Sequence, residues 1–294
     1  MSRAKINTTN ETVKKLKRQD LIFSCVGLTV LLSALLVLVV LIYDMAHTGL
    51  PRLSFDFFTS YPSRFAERAG ILAGWVGSLL VVATTALLAI PLGIAAGIYL
   101  EEYSKKNWIT RIIEINILNL AGIPSIIYGI MALALFVYQF ALKQSVLTAG
   151  LTLALLILPI IIVATREAIK TVPSHIREAS YSLGATRWQT IRYHILPYSF
   201  GGIMTGVVIA LSRAIGETAP LLTVGAVIFI GFLPTSLMDS YTVLPIQMFN
   251  WISRPQDDFH VNAAAAGLVL LSMTLLLNGL AIYIRYNFRK KYKW

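Results

Sequence analysis

Charge is what this sequence has least of. Asp, Glu, Lys and Arg make up 13% of its 294 residues and hydrophobic residues make up 56%, whereas a soluble domain carries about 25% charged residues. A chain so poor in polar surface is excluded from folding alone in water. Cysteine is nearly missing too. Cys25 stands alone, which excludes an internal disulfide and a zinc cluster; it falls inside an apolar run and reads as an inert thiol. The four histidines, His47, His175, His194 and His260, are far apart in loops or loop helices and read as surface residues instead of ligands. No G-x-x-x-x-G-K-[ST] segment occurs, so the chain has no P-loop to cradle nucleotide phosphates. Neither H-E-x-x-H, nor paired cysteines, nor a nucleophile elbow is present. The expectation is a chain with no catalytic residues, no metal and no cofactor of its own.

What is present in quantity is apolar sequence in long runs. Residues 1–20 are polar and basic, and they precede an uncharged run over 21–43, enough to cross a bilayer, which takes about 20 residues. A secretory signal would have a shorter core and a small-residue cleavage site. Around Tyr43-Asp44-Met45 there is none, so this is read as an uncleaved first span. Residues 44–70 form a loop on the far side of the membrane, rich in aromatics such as Phe55, Phe57, Phe58 and Tyr61, which suit the lipid–water boundary. Further spans follow at about 71–100, 112–140, 146–164, 201–232 and 263–284, within a permease-like region expected over 71–285, and a basic tail closes the chain at 286–294. Gly122-Ile123-Pro124-Ser125 marks a kink or an unwound turn in the third span, tolerated only where neighbours re-satisfy the backbone. The predicted fold is therefore an all-α polytopic membrane protein with six transmembrane helices. The net charge of +11 is sorted by side. The side of the termini holds 19 of the 25 basic residues (among them Arg3, Lys5, Lys14, Lys15, Lys106 and Lys293), and five lie opposite. The positive-inside rule then puts both termini in the cytoplasm. The basic excess reports orientation, so nucleic acid is excluded as a partner.

The longest polar stretch between apolar runs, 166–199, faces the same side and carries helix signals. Ser174 is a candidate cap for a short helix and Gly184 for its left-handed end. Ile176, Ala179 and Leu183 fall on one apolar stripe. Thr186 to Gln189 fits a capping box opening a second helix, with Trp188, Ile191 and Ile195 as its stripe and Pro197 where it should stop or bend. Two small amphipathic helices on a very apolar chain suggest a docking loop; two interfacial helices resting on the membrane are the bland alternative. Glu178-Ala179-Ser180, three residues, Gly184, then Leu196-Pro197 resembles the EAA loop of ABC importer permeases. Ser180 stands where that family usually has a second Ala, and His194 where an Ile is usual, without disturbing the spacing. The resemblance implies the type I (MetI-like) importer fold. It also implies that Glu178, Ala179, Ser180, Gly184, Leu196 and Pro197 couple the spans to a separate ATPase subunit, which would bind the ATP.

The fifth span contains Arg213 and Glu217, four apart on one helix face and able to pair. Each would cost about 2.5–3.5 kcal/mol at a lipid-exposed helix centre, so both must face protein or water. Gly216 and Pro220 suggest a local break, and Thr218 adds a hydroxyl. Together they suit a hydrated path for an anion; a purely structural ion pair is the alternative. The run Arg213 to Pro220, R-A-I-G-E-T-A-P, and Asn119 to Gly129, N-L-A-G-I-P-S-I-I-Y-G, resemble phosphate-specific ABC permeases of the PstA type. That resemblance implies half of a phosphate importer's pore in a bacterial or archaeal cytoplasmic membrane. The partners implied are a PstC permease subunit, two PstB ATPase subunits and an external PstS phosphate-binding protein. An ABC permease for molybdate or sulfate is the nearest rival reading. A secondary anion transporter is a weaker one, because paired broken helices in both halves are not evident in the sequence.

Overall fold

The computed structural model describes residues 2–105, 107–227 and 229–291, with side chains over 16–105, 107–227 and 229–288. Among the described residues there is no β-strand. Of the basic residues used to read orientation, Lys106 and Lys293 lie outside the described residues, as do the side chains of Arg3, Lys5, Lys14, Lys15, Arg289, Lys290 and Lys291.

The first helix, α1 (Ser2–Gly49), runs without interruption through the basic segment and the first apolar run. Its apolar stretch is wholly exposed and it meets the rest of the chain at its outer end, against the last helix. A short turn and α2 (Phe55–Thr59), capped by Ser54 on the Phe57 N–H, lead into α3 (Leu72–Ile98), which continues through a π-turn to Tyr103. The third span is broken into α4 (Trp108–Ala121) and α5 (Ser125–Ala132), the latter extended by a π-turn to Gln139; the two arms meet at 103°. Gly122 and Pro124 lie at that bend, as the sequence suggested. α6 (Val146–Lys170) is the most buried span, with Pro159 inside it. α7 (Ser174–Ser182) and α8 (Arg187–Thr190) form the long polar loop, and α8 passes through a π-turn into α9 (Leu196–Gly216). α10 (Ala219–Val224), α11 (Leu244–Ile252) and α12 (Asp257–Lys291) complete the chain. Among the described residues, five helices are long and apolar enough to cross a membrane, six when the bent pair is counted as one span.

The fold differs from the sequence expectations at three places. The fifth span is not helical to Phe232: it ends at Gly216, resumes for six residues in α10, and stops at Gly225 with a φ of +92°. The chain beyond packs inward although it is not helical. The Val227 N–H bonds the Tyr241 carbonyl at 2.9 Å, the Leu244 N–H bonds the Ser78 hydroxyl at 2.9 Å, and Tyr241 is fully buried. The loop expected over 233–262 therefore contains α11, and the last helix begins at Asp257 instead of Ala263. Asp257 and Asp258 occupy its first turn, where carboxylates complement the positive end of the helix dipole. Lastly, Pro197 does not stop the helix that starts at Arg187. It lies inside the continuous helical run from Arg187 to Gly216, directly after the π-turn over Ile191–Ile195, a local widening that accommodates an interrupted hydrogen-bond ladder.

The core is a layer of α3 on α6 on α9. Thr85 bonds its own helix at the Val81 carbonyl at 2.8 Å and crosses to the Gly150 carbonyl of α6 at 3.3 Å, the way small hydroxyl residues join helices in lipid. In the loop between α1 and α3, Arg52 ties the chain together. It donates to Asn262 at 2.8 Å and to the carbonyls of Glu67 at 2.7 Å and Ala69 at 3.0 Å, and it lies 5.0 Å over the Phe57 ring. In the chain between α10 and α11, Asp239 folds a tight turn by accepting from the N–H groups of Thr235 and Ser236, both at 2.8 Å.

Candidate functional site

The loop carrying α7 and α8 is built from the turn at Gly184 outward. α7 ends with two bonds characteristic of a left-handed stop: Ala185 N–H to the Ser180 carbonyl at 3.2 Å and Gly184 N–H to the Tyr181 carbonyl at 2.9 Å. Gly184 sits at φ +81°, a conformation that costs a side-chain-bearing residue energy. The capping box is formed in full, with the Gln189 N–H on the Thr186 hydroxyl at 3.3 Å and the Thr186 N–H on the Gln189 carbonyl oxygen at 2.8 Å. Ser174, by contrast, is the first helical residue and makes no cap; Pro173 occupies the cap position. The two arms are joined inside by Ser180 and Thr190, whose hydroxyls are 2.9 Å apart and buried. The hydroxyl at Ser180 thus has a use that the usual Ala could not supply.

The apolar stripes do not point where periodicity placed them. Ile191 and Ile195 are buried with Ile169 and Val172, and Ile176 packs against them. Ala179 is exposed and Leu183 is 90% exposed, with Trp188, Tyr181 and Tyr193 also open. Glu178 and Gly184 share that exposure, while Leu196 and Pro197 are half-buried at the root of α9. A cleft of about 350 Å³ lies between the arms, lined by Gly184, Gln189, Tyr193 and His194 among others. So much exposed apolar surface on a charged loop marks an interaction site.

What holds this loop on the spans was missed in the sequence. Arg177 donates through Nε at 3.0 Å and Nη2 at 2.8 Å to Glu102 Oε1, through Nη1 at 2.7 Å to the Val172 carbonyl, and through Nη2 at 3.1 Å to the Ile169 carbonyl. The Glu102 side chain is 7% exposed and that of Arg177 22%. Beside it, Arg166 of α6 reaches Glu114 of α4 at 2.7 Å and Glu101 at 3.6 Å. The only hint in the sequence was Glu101-Glu102 directly after an apolar span, on a side otherwise rich in Lys and Arg.

Within the spans, the structure brings Arg213, Glu217 and Thr218 together at the end of α9. Arg213 is in the last turn, where the dipole favours a cation. Its Nε bonds Glu217 Oε1 at 3.1 Å. Glu217 is not on the helix but just past it, in an extended conformation, and still pairs. The pair is asymmetric: the Arg213 side chain is 40% exposed, that of Glu217 15%. Thr218 is half-buried, its hydroxyl 3.5 Å from the Gly216 carbonyl. The arrangement leaves an unburied guanidinium at a broken helix, able to meet an anion without surrendering its carboxylate partner.

Residues 89–293 match the family described as binding-protein-dependent transport system inner membrane component. The chain belongs to that family. Among its relatives, the phosphate transport system permease protein PstA of Yersinia pestis is 32% identical over 280 residues, covering 94% of this chain and 92% of the relative. The phosphate transport system permease protein PstC of Mesorhizobium japonicum is 32% identical over 314 residues, covering 95% and 93%. A solved bacterial ABC transporter involved in the import of the acidic polysaccharide alginate shares the fold, with a TM-score of 0.64 at 16% identity over 93% of this chain and 98% of that one. As a member of the inner-membrane-component family, the chain is a multi-pass membrane permease of an ABC transporter, with the helical fold of type I importers.

Proposed function

We propose that this chain is one permease half of an ATP-driven importer of inorganic phosphate. Both termini and the loop carrying α7 and α8 face the cytoplasm of a bacterial or archaeal cell. Its partners are a PstC-type permease completing the pore, two PstB-type ATPase subunits and a PstS-type phosphate-binding protein outside. ATP is bound and hydrolysed by the ATPase subunits, and this chain contributes no catalytic group or cofactor. The observation that carries the reading is the unburied Arg213 at the broken fifth span, in a chain whose relatives include named phosphate permeases. Glu178, Ala179, Ser180 and Gly184 take up the motion of the ATPase pair, with Leu196 and Pro197 at the root of the helix that carries it inward. Arg177 passes it to α3 through Glu102 and to α6 through the Ile169 carbonyl. Arg213, steadied by Glu217 and flanked by Thr218, offers transient positive charge to a phosphate dianion. A weak site suits this role, because the ion must also leave. The second broken span, at Gly122 to Pro124, does not revive a secondary transporter, since the exposed docking loop would then have no use.

The test is reconstitution in liposomes with labelled phosphate. The chain alone is expected to be inert. With the second permease, the ATPase and loaded binding protein, phosphate uptake should follow ATP hydrolysis. Uptake by the chain alone, or uptake of molybdate or sulfate in preference to phosphate by the full assembly, would overturn the reading.

A further inference from the structure

The two breaks in the bundle meet. α5, after the bend of the third span, packs on α10, after the break of the fifth. The approach is so close that a Cβ on Gly129 would lie 2.7 Å from both the Cα and the carbonyl oxygen of Pro220. One side chain bridges this junction. Tyr128 is 5% exposed and shares a core cluster with Ala214, next to Arg213, and with Leu221 of α10. Its hydroxyl donates at 2.8 Å to the Leu120 carbonyl, in the last turn of α4, where carbonyls lack helical partners.

A buried hydroxyl in a membrane interior is costly unless it is hydrogen-bonded, and this one is, sharing the Leu120 carbonyl with the Ile123 N–H at 3.2 Å. What the phenol adds over a phenylalanine is a tie across the 103° bend, from a ring that shares a core cluster with Ala214 of α9 and Leu221 of α10.

We propose that Tyr128 is a positioning residue of the translocation path: its hydroxyl fixes the third-span bend against the Arg213 end of α9, setting the wall that the ion passes. The inference rests on the phosphate-path reading of Arg213. The experiment uses the complete transporter in liposomes and measures phosphate carried per ATP hydrolysed, a ratio independent of how much complex assembles. Tyr128→Phe is expected to lower the ratio about fivefold, the equilibrium weight of one neutral hydrogen bond. In a Cys25→Ala background, Asn119→Cys beside the bend should also react faster with a water-soluble thiol reagent when Tyr128 is replaced by Phe. A purely structural tyrosine would lower hydrolysis and uptake together and leave the ratio unchanged, and that result overturns the proposal. If the wild-type assembly hydrolyses ATP but carries no phosphate, the reading of the path itself fails, and the inference falls with it.

Discussion

Arg177 offers the sharpest test of how the loop carrying α7 and α8 is held. Replacing it by Met keeps much of the stem volume and removes four hydrogen bonds, two of them to one carboxylate oxygen of Glu102. Glu102, at 7% exposure, is then left as a nearly buried charge without its partner. Breaking a buried pair from one side costs about 3–5 kcal/mol. Arg177 itself is partly open, so the lower end of that range, about 3 kcal/mol, applies. That shifts the docked-to-undocked equilibrium of the loop roughly 150-fold. Removing the charge from both sides should cost less, because no carboxylate is stranded. The ordering is therefore Arg177→Met worst, Arg177→Met with Glu102→Gln intermediate, and Glu102→Gln mildest, since Arg177 keeps its bonds to Val172 and Ile169. Amide hydrogen exchange across α7, read beside ATP hydrolysis stimulated by loaded binding protein, measures the loop directly. The expected result is faster exchange confined to the loop, with hydrolysis no longer coupled to uptake. If the single Arg177→Met variant exchanges like the wild type, or if the double variant is worse than Arg177→Met alone, the clamp is not what holds the loop.

Two further outcomes follow from the geometry. Exchanging the pair, Arg213→Glu with Glu217→Arg, preserves the attraction but moves the positive charge from the last turn of α9 to the extended residue past its end and puts a carboxylate where a dianion must pass; assembly should survive while uptake is lost, and restored uptake would make the pair structural. Asp239 is held below its ordinary value by the N–H groups of Ser236 and Thr235 and by the Thr235 hydroxyl, so the turn it caps is fully supported above the unfolded carboxylate value of about 3.9 and loses that support as pH falls through the lower folded value; slowed exchange of the Thr235 and Ser236 amides should persist at pH 5 and disappear only in stronger acid, and loss already at neutral pH would contradict it.

The spans were legible because apolar length is a property of the sequence itself. Their interruptions were legible only where a backbone-limited residue announces them. Gly122 and Pro124 gave away the bend in the third span, and Gly216 and Pro220 the break in the fifth. The end of the fifth span was not legible. The residues after Gly225 remain apolar, and apolarity says that a segment is buried, not that it is helical; Ala226, Ile230 and Tyr241 are buried in extended chain. The clamps were invisible for a different reason. Arg177 and Glu102 are 75 residues apart and Arg166 and Glu114 are 52 apart, and nothing local in either segment points to the other.

The misplaced stripe on α7 shows what periodicity can and cannot decide. Ile176, Ala179 and Leu183 do repeat at helical spacing, and a helix does form there. But the inner position is taken by Ser180, bonded to Thr190, and the apolar residues at Ala179 and Leu183 look outward. A stripe identifies a face that some surface will cover. It does not say whether that surface belongs to the same chain. On the spans the covering medium is neighbouring helices or lipid. On α7 no other part of this chain, among the described residues, covers Ala179 and Leu183. The exposed stripe and the Gly184 turn lie on the outward side of the loop, and Arg177 ties its inward side to α3 through Glu102 and to α6 through the Ile169 carbonyl. That uncovered face is the one the proposed docking of an ATPase subunit would use.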